Sequence, residues 1–191
     1  SNGGTGFDSD ALTNTGAITG PTNTEPGAKV EYRAKYLTGS FSDWSETYTP
    51  PATDGSVDGA YDVEVRQTDK AGNVGNTQGI KFTLDTIKPT TPDAQLSTDT
   101  SNGGTGFDSD ALTNTGAITG PTNTEPGAKV EYRVKYQAGS FSDWSETYTP
   151  PATNGSMDGA YTVEVRQTDK AGNMSDTQTI QFTLNTSHTR C

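Results

Sequence analysis

The chain has 191 residues, 24 acidic side chains against 13 basic ones, a formal net charge of −11 and only 28% hydrophobic residues. Leu, Ile, Val and Phe together make up about 14% of it, a level at which a highly charged sequence ordinarily stays unfolded. No apolar run approaches the roughly 20 residues of a spanning helix, residues 1–10 lack the basic and apolar regions of a signal peptide, and so acidic a chain repels nucleic acid while attracting divalent cations.

From the N-terminus, the first feature is an acidic loop at 6–14 (GFDSDALTN), in which Asp8 and Asp10 form a D-x-D pair. Residues 17–19 suggest a short strand. Residues 29–36 (KVEYRAKY) place Val30, Tyr32, Ala34 and Tyr36 on one face and Lys29, Glu31, Arg33 and Lys35 on the other, the period of a half-buried antiparallel strand. Trp44, Glu46 and Tyr48 suggest a further strand, cut off by Pro50-Pro51. Residues 60–67 alternate again, with Tyr61, Val63 and Val65 inward and Asp62, Glu64 and Arg66 outward. An acidic loop, TDKAGN at 68–73, follows; Ile80, Phe82 and Leu84 mark the next strand, which ends at Asp85-Thr86. Turn signals separate these runs at Pro26-Gly27, Asp54-Gly55, Asp58-Gly59 and Gly72-Asn73.

From Ser101 the chain starts again. Shifted by 100 residues it aligns with itself without a gap, and the first 33 residues of each copy are identical. A period near 100 is the size of one small sandwich domain, so the expected fold is all-β, two tandem immunoglobulin-like β-sandwich domains. The expected boundaries are residues 1–85 for a first repeat lacking its first strand, and 86–191 for a linker plus the second repeat. Residues 92–98 would be the strand that only the second repeat has, and the tail 187–191 departs from the repeat. Cys191 is the single cysteine, so no intramolecular disulfide forms and such small domains need another staple.

The acidic loops offer one. Calcium takes six to eight oxygens, and a D-x-D loop supplies two carboxylates with carbonyls between them, although a solvated turn has the same composition. Asp85 and Asp169 are expected to face each other where the domains join, near Asp8 and Asp10. Converging carboxylates repel unless a cation lies between them, which favours calcium at the junction. His188 is the only histidine and has no counterpart in the first copy, so a Ser-His-Asp triad has no repeated basis. Trp44 and Trp144 fit a sandwich core better than a sugar-stacking platform.

The elements Asp99-Thr100, Gly106-Phe107-Asp108-Ser109-Asp110, Glu125-Pro126-Gly127, Thr168 to Asn173 and Asp85-Thr86 resemble the bacterial immunoglobulin-like repeats of giant calcium-dependent surface adhesins of the biofilm-associated and RTX types. The resemblance covers nearly the whole chain. It implies calcium-bound sandwiches strung into a stalk outside the cell, on a bacterial surface, with metal ligands at Asp8, Asp10, Asp69, Asp85, Asp99, Asp108, Asp110 and Asp169. Asn185 replaces the second copy's Asp85 equivalent, which leaves the far end of that repeat without a complete site. The function expected is a structural extender for adhesion and biofilm formation, not an enzyme. Its partners are neighbouring repeats of the same chain, with neither nucleic acid nor membrane insertion; the alternative is a module that binds a glycan or surface directly.

Overall fold

The computed structural model describes residues 11–100 and 110–187. They contain ten strands and no helix, and divide into two compact units, one reaching Ile87 and including 170–173, the other comprising the rest.

In the first unit, β1 (Leu12–Thr13), β2 (Lys29–Tyr36), β3 (Gly59–Thr68) and β4 (Gln78–Leu84) form one sheet in the order β1-β4-β3-β2. β2, β3 and β4 are antiparallel, and β1 joins β4 in parallel. The period-two pattern fixes the register: Tyr32 lies opposite Val65, Ala34 opposite Val63, and Tyr61 opposite Phe82. Val63, Val65 and Leu84 are buried. Tyr61 stacks on Phe82 with ring centroids 5.1 Å apart. The stretch around Trp44, expected as a strand, is reduced to one bridge, Ser45 to Tyr32, at the sheet edge.

The second unit repeats this sheet with β6 (Leu112–Thr113), β8 (Lys129–Tyr136), β9 (Gly159–Thr168) and β10 (Gln178–Leu184), in the order β6-β10-β9-β8. It adds a two-stranded sheet of β5 (Gln95–Leu96) and β7 (Ile118–Thr119). β5 lies inside the expected 92–98 segment. Ala94, Leu96 and Ile118 from this layer pack on Tyr161, Val163, Val165, Ile180, Phe182 and Leu184 of the other, the two-layer arrangement of an immunoglobulin-like sandwich. Fourteen per cent of aliphatic and phenylalanine residues suffices because those of the long strands, Val63, Val65, Leu84, Val163, Val165, Ile180, Phe182 and Leu184, are buried and tyrosines complete the layer.

Tyrosines also tie the loops down. Tyr48 donates its hydroxyl to the Gly16 carbonyl at 2.7 Å, and burial raises its pKa to about 12. Gly16 is required there, since a Cβ would collide with Pro51. Tyr148 makes the same bond to Gly116.

Candidate functional site

The loop after β3 is built around Asp69. One carboxylate oxygen accepts the backbone N–H groups of Ala71 and Asn73, both at 2.8 Å, and the other accepts the Asn73 side-chain amide at 2.8 Å. The Asn73 donors and the backbone amides hold the Asp69 pKa below its ordinary value. The TDKAGN sequence is therefore a self-closing Asx loop whose aspartate oxygens already face donors. Asp169 heads the corresponding loop after β9, and it too has interaction partners.

Sequence reasoning missed a second carboxylate device. Asp58 accepts from the Thr86 backbone N–H at 2.8 Å and from its hydroxyl at 2.9 Å, while the Gly55 N–H donates to that hydroxyl at 2.8 Å. Asp158 does the same with Thr186 and adds the Ser187 hydroxyl at 2.8 Å. The Thr of the Asp85-Thr86 pair is thus a latch for the chain leaving β4. Only the recurrence of Asp at 58 and 158 with Thr at 86 and 186 hinted at it. Asp85 itself accepts the Ile87 N–H at 3.2 Å. Asn185 makes the equivalent bond to Ser187 at 3.3 Å, so losing this charge leaves the local turn intact.

Asp8, Asp10 and Asp108 lie outside the described residues. Asp99 and Asp110 are described, and they flank one pairing. The Thr100 N–H and hydroxyl both reach the Leu112 carbonyl, at 2.7 and 3.0 Å, while the Leu112 N–H donates to Asp110 Oδ1 at 2.9 Å. Asp99 Oδ1 is the one buried side-chain polar atom among the described residues that has no hydrogen-bond partner. A buried carboxylate oxygen left so is costly and calls for a cation or a donor. Beside it, Ala111 holds φ at 57° and Ala11 in the first unit at 49°, a left-handed conformation uncommon for alanine. Both strained residues close the acidic D-x-D loop and offer their carbonyls to Thr183 and Thr83. Asp99 and Asp110 fit a hard cation chemically. No group of three or more His, Cys, Asp or Glu among the described residues is placed to hold a metal, so a full ligand set would have to draw on carbonyls, water or residues of 101–109.

The outward face of each sheet carries the densest electrostatics. Register sets Glu31 opposite Arg66, Arg33 opposite Glu64 and Lys35 opposite Asp62, and these pairs close at 2.9, 2.6 and 2.9 Å. Glu31 is only 7% exposed; hydrogen bonds from Lys29 and Arg66 hold its pKa down and compensate the burial. Trp44 and Phe41 lie over this ladder. The Arg33 guanidinium is 4.6 Å from each ring, and Arg66 is 4.1 Å from Trp44. Trp144 repeats this on Arg133 and Arg166. The tryptophans are therefore not core residues: they cap the charged face, held by cation–π contacts. Asp62 and its partner Lys81 become Thr162 and Gln181 together, so the pair loses both charges at once.

No helix among the described residues is long and apolar enough to cross a membrane. No curated protein matches the chain. Among solved structures, it is similar to the fibronectin(III)-like modules of Clostridium thermocellum CbhA, at 13% identity over 85% of this chain and 82% of that one, with a TM-score of 0.48. It is also similar to a Ca2+-stabilized adhesin with which an Antarctic bacterium binds ice, at 16% identity and a TM-score of 0.39; this covers 92% of the present chain but 44% of the adhesin. A family model described as a bacterial Ig-like domain matches twice, at residues 7–86 and 105–186, and the chain belongs to that family of bacterial immunoglobulin-like domains.

Proposed function

We propose that the chain is a stalk segment of a bacterial surface adhesin: a tandem of non-catalytic sandwiches, stiffened by calcium, that holds a distal adhesive part away from the cell and serves attachment and biofilm formation. Repetition with near-identity is what a spacer needs, because adding a unit adds length without new chemistry. Neighbouring copies of the repeat in the same chain are the partners, with one division after residue 85.

The observation that carries the calcium part is the Asp99 carboxylate oxygen, buried without a partner next to the Thr100–Leu112 pairing whose Leu112 N–H binds Asp110. Such an oxygen is costly in the metal-free protein and stabilising once a cation is bound, which couples metal binding to folding. Asp99 and Asp110 would hold the ion, and their charge would be neutralised by it. Asp8, Asp10, Asp69, Asp85, Asp108 and Asp169 complete the proposed set. The alternative, direct glycan binding through Trp44 and Trp144, has less support, since arginines already stack on both rings.

Calorimetric titration of the chelator-stripped chain with calcium tests this. Saturable binding that weakens at least tenfold in Asp99→Asn supports the reading. Heats indistinguishable from dilution, or an Asp99→Asn isotherm identical to the parent, would remove calcium from it.

A further inference from the structure

Residues 54–58 read DGSVD and residues 154–158 read NGSMD, so the second repeat carries an amide where the first carries a carboxylate. Asn154-Gly155 is the one Asn-Gly pair among the described residues; the pairs at 2–3 and 102–103 lie outside them. In such a pair the backbone nitrogen of the glycine can attack the asparagine side-chain carbonyl carbon, and a residue without a Cβ obstructs that approach least.

Asn154 is exposed. Its Oδ1 accepts from the Ser156 N–H at 3.1 Å and from the Ser156 hydroxyl, bonds that draw electron density from the carbon under attack. The Gly155 N–H, which must lose its proton before the nitrogen can attack, donates to the Thr186 hydroxyl at 2.8 Å, and that hydroxyl donates to Asp158 Oδ1 at 2.7 Å. The attacking nitrogen is therefore fastened to the exit latch. The first repeat shows how a carboxylate fits the same loop. Asp54 Oδ1 accepts from the Ser56 N–H and hydroxyl, and the Gly55 N–H donates to Thr86 at 2.8 Å. The Ser56 hydroxyl, then its N–H, hold the Asp54 pKa below its ordinary value.

We propose that Asn154 is a site of self-modification, converted through a cyclic succinimide to aspartate or isoaspartate, and that the Thr186 hydroxyl guards it. Gly155 N gives its proton to base in solvent and bonds to Asn154 Cγ; the Cγ–Nδ2 bond breaks and Nδ2 leaves as ammonia. Water then opens the ring, so that one water is consumed, one carboxylate is formed and nothing is oxidised or reduced. Opening at the side-chain carbonyl gives aspartate, which the loop accommodates with every bond that Asp54 makes. Opening at the main-chain carbonyl gives isoaspartate, which routes the backbone through the side chain, lengthens it by a methylene and draws Gly155 away from Thr186. Only that product opens the latch on the chain leaving β10. The inference stands independently of calcium.

Peptide mapping by mass spectrometry of the full chain, aged in mildly alkaline buffer well below its melting temperature, tests it. A synthetic peptide of residues 150–160, which lacks Thr186, supplies the unguarded rate. We expect residue 154 to deamidate in the peptide and about fivefold or more slowly in the folded chain, the worth of one hydrogen bond. Thr186→Val should move the chain's rate toward that of the peptide. Ile180→Ala, which weakens the same unit without touching the latch, should leave the rate nearly unchanged at the same temperature. Asn154→Asp should melt with the parent, and the chromatographically separated isoaspartate form should melt lower. Equal rates in peptide and folded chain, or a Thr186→Val rate no faster than the parent's, overturn the inference. So does an equal acceleration by Ile180→Ala, because general unfolding rather than the latch would then control the reaction.

Discussion

Asp158 shows how a carboxylate can hold a domain's exit through hydrogen bonds. Its oxygens accept two N–H groups and two hydroxyls from Thr186 and Ser187. The Thr186 hydroxyl, then Ser187 and the backbone amides, hold its pKa below the ordinary aspartate value. A carboxyl with a lowered folded pKa contributes stability that is complete above its unfolded value, about 3.9, and that is lost as pH falls through the folded one. Asp69 and Asp62 are lowered in the same direction, by Asn73 and by Lys81 respectively. Acid unfolding in chelator should therefore begin only below about pH 4, and Asp158→Asn should flatten the acid limb for the second unit while lowering its melting temperature at neutral pH. An unchanged acid limb would mean that these latches close in the unfolded chain as well. The Thr of this latch was legible in the sequence only as part of a calcium-like motif, because nothing local says that Thr86 folds back on Asp58, 28 residues earlier.

At the scale of elements, what was legible is what period two can encode. Residues 29–36 became β2 with unchanged bounds, 60–67 grew by one residue at each end into β3, and the third strand gained two residues at its start to become β4. The register of opposite charges was implicit in the same alternation. Two readings failed for tertiary reasons. Trp44 sits in an edge segment anchored by a single bridge, so alternation within it does not decide its face, and two arginines on the neighbouring strands attract it to the outside. Residues 17–19 and 117–119 are identical in sequence and differ in structure because only the second has β5 as partner; no local rule separates them. The same contrast predicts unequal stability. The second unit buries Tyr161, Ile180 and Phe182, which their counterparts in the first do not match, so calorimetry should resolve two transitions with the first unit melting lower. Ile180→Ala should lower the upper transition by about 2 to 5 kcal/mol, and Ile80→Ala should cost less in the lower one. A single transition shifted equally by both substitutions would show that the two units unfold as one.

Over the whole molecule, the acidic surplus and the thin cores act against each other. A net charge of −11 destabilises any compact state by self-repulsion, and little apolar burial offsets it. Five of the basic residues do little to relieve the acidic loops, because Arg33, Lys35 and Arg66 in the first unit and Arg133 and Arg166 in the second are committed to the ladders on the sheet faces. Two agents can relieve them: a bound cation, which neutralises the carboxylates locally, or mobile salt, which screens them. These differ in a measurable way. Raising ionic strength to about 0.15 M shortens the screening length to about 8 Å, enough to weaken repulsion between exposed loops but not to satisfy a buried oxygen such as that of Asp99. In chelator, the melting temperature should rise as sodium chloride is added and remain below that of the calcium-loaded chain at every salt concentration. With calcium bound, the salt dependence should nearly vanish. If sodium chloride alone restored the full melting temperature, the acidic loops would be a problem of general charge density and the proposed metal positions would have no special standing. If calcium raised stability in the parent but not in Asp99→Asn at the same ionic strength, the gain would belong to a site, and the composition that at first resembles a disordered chain would be that of a domain stabilised by its ion.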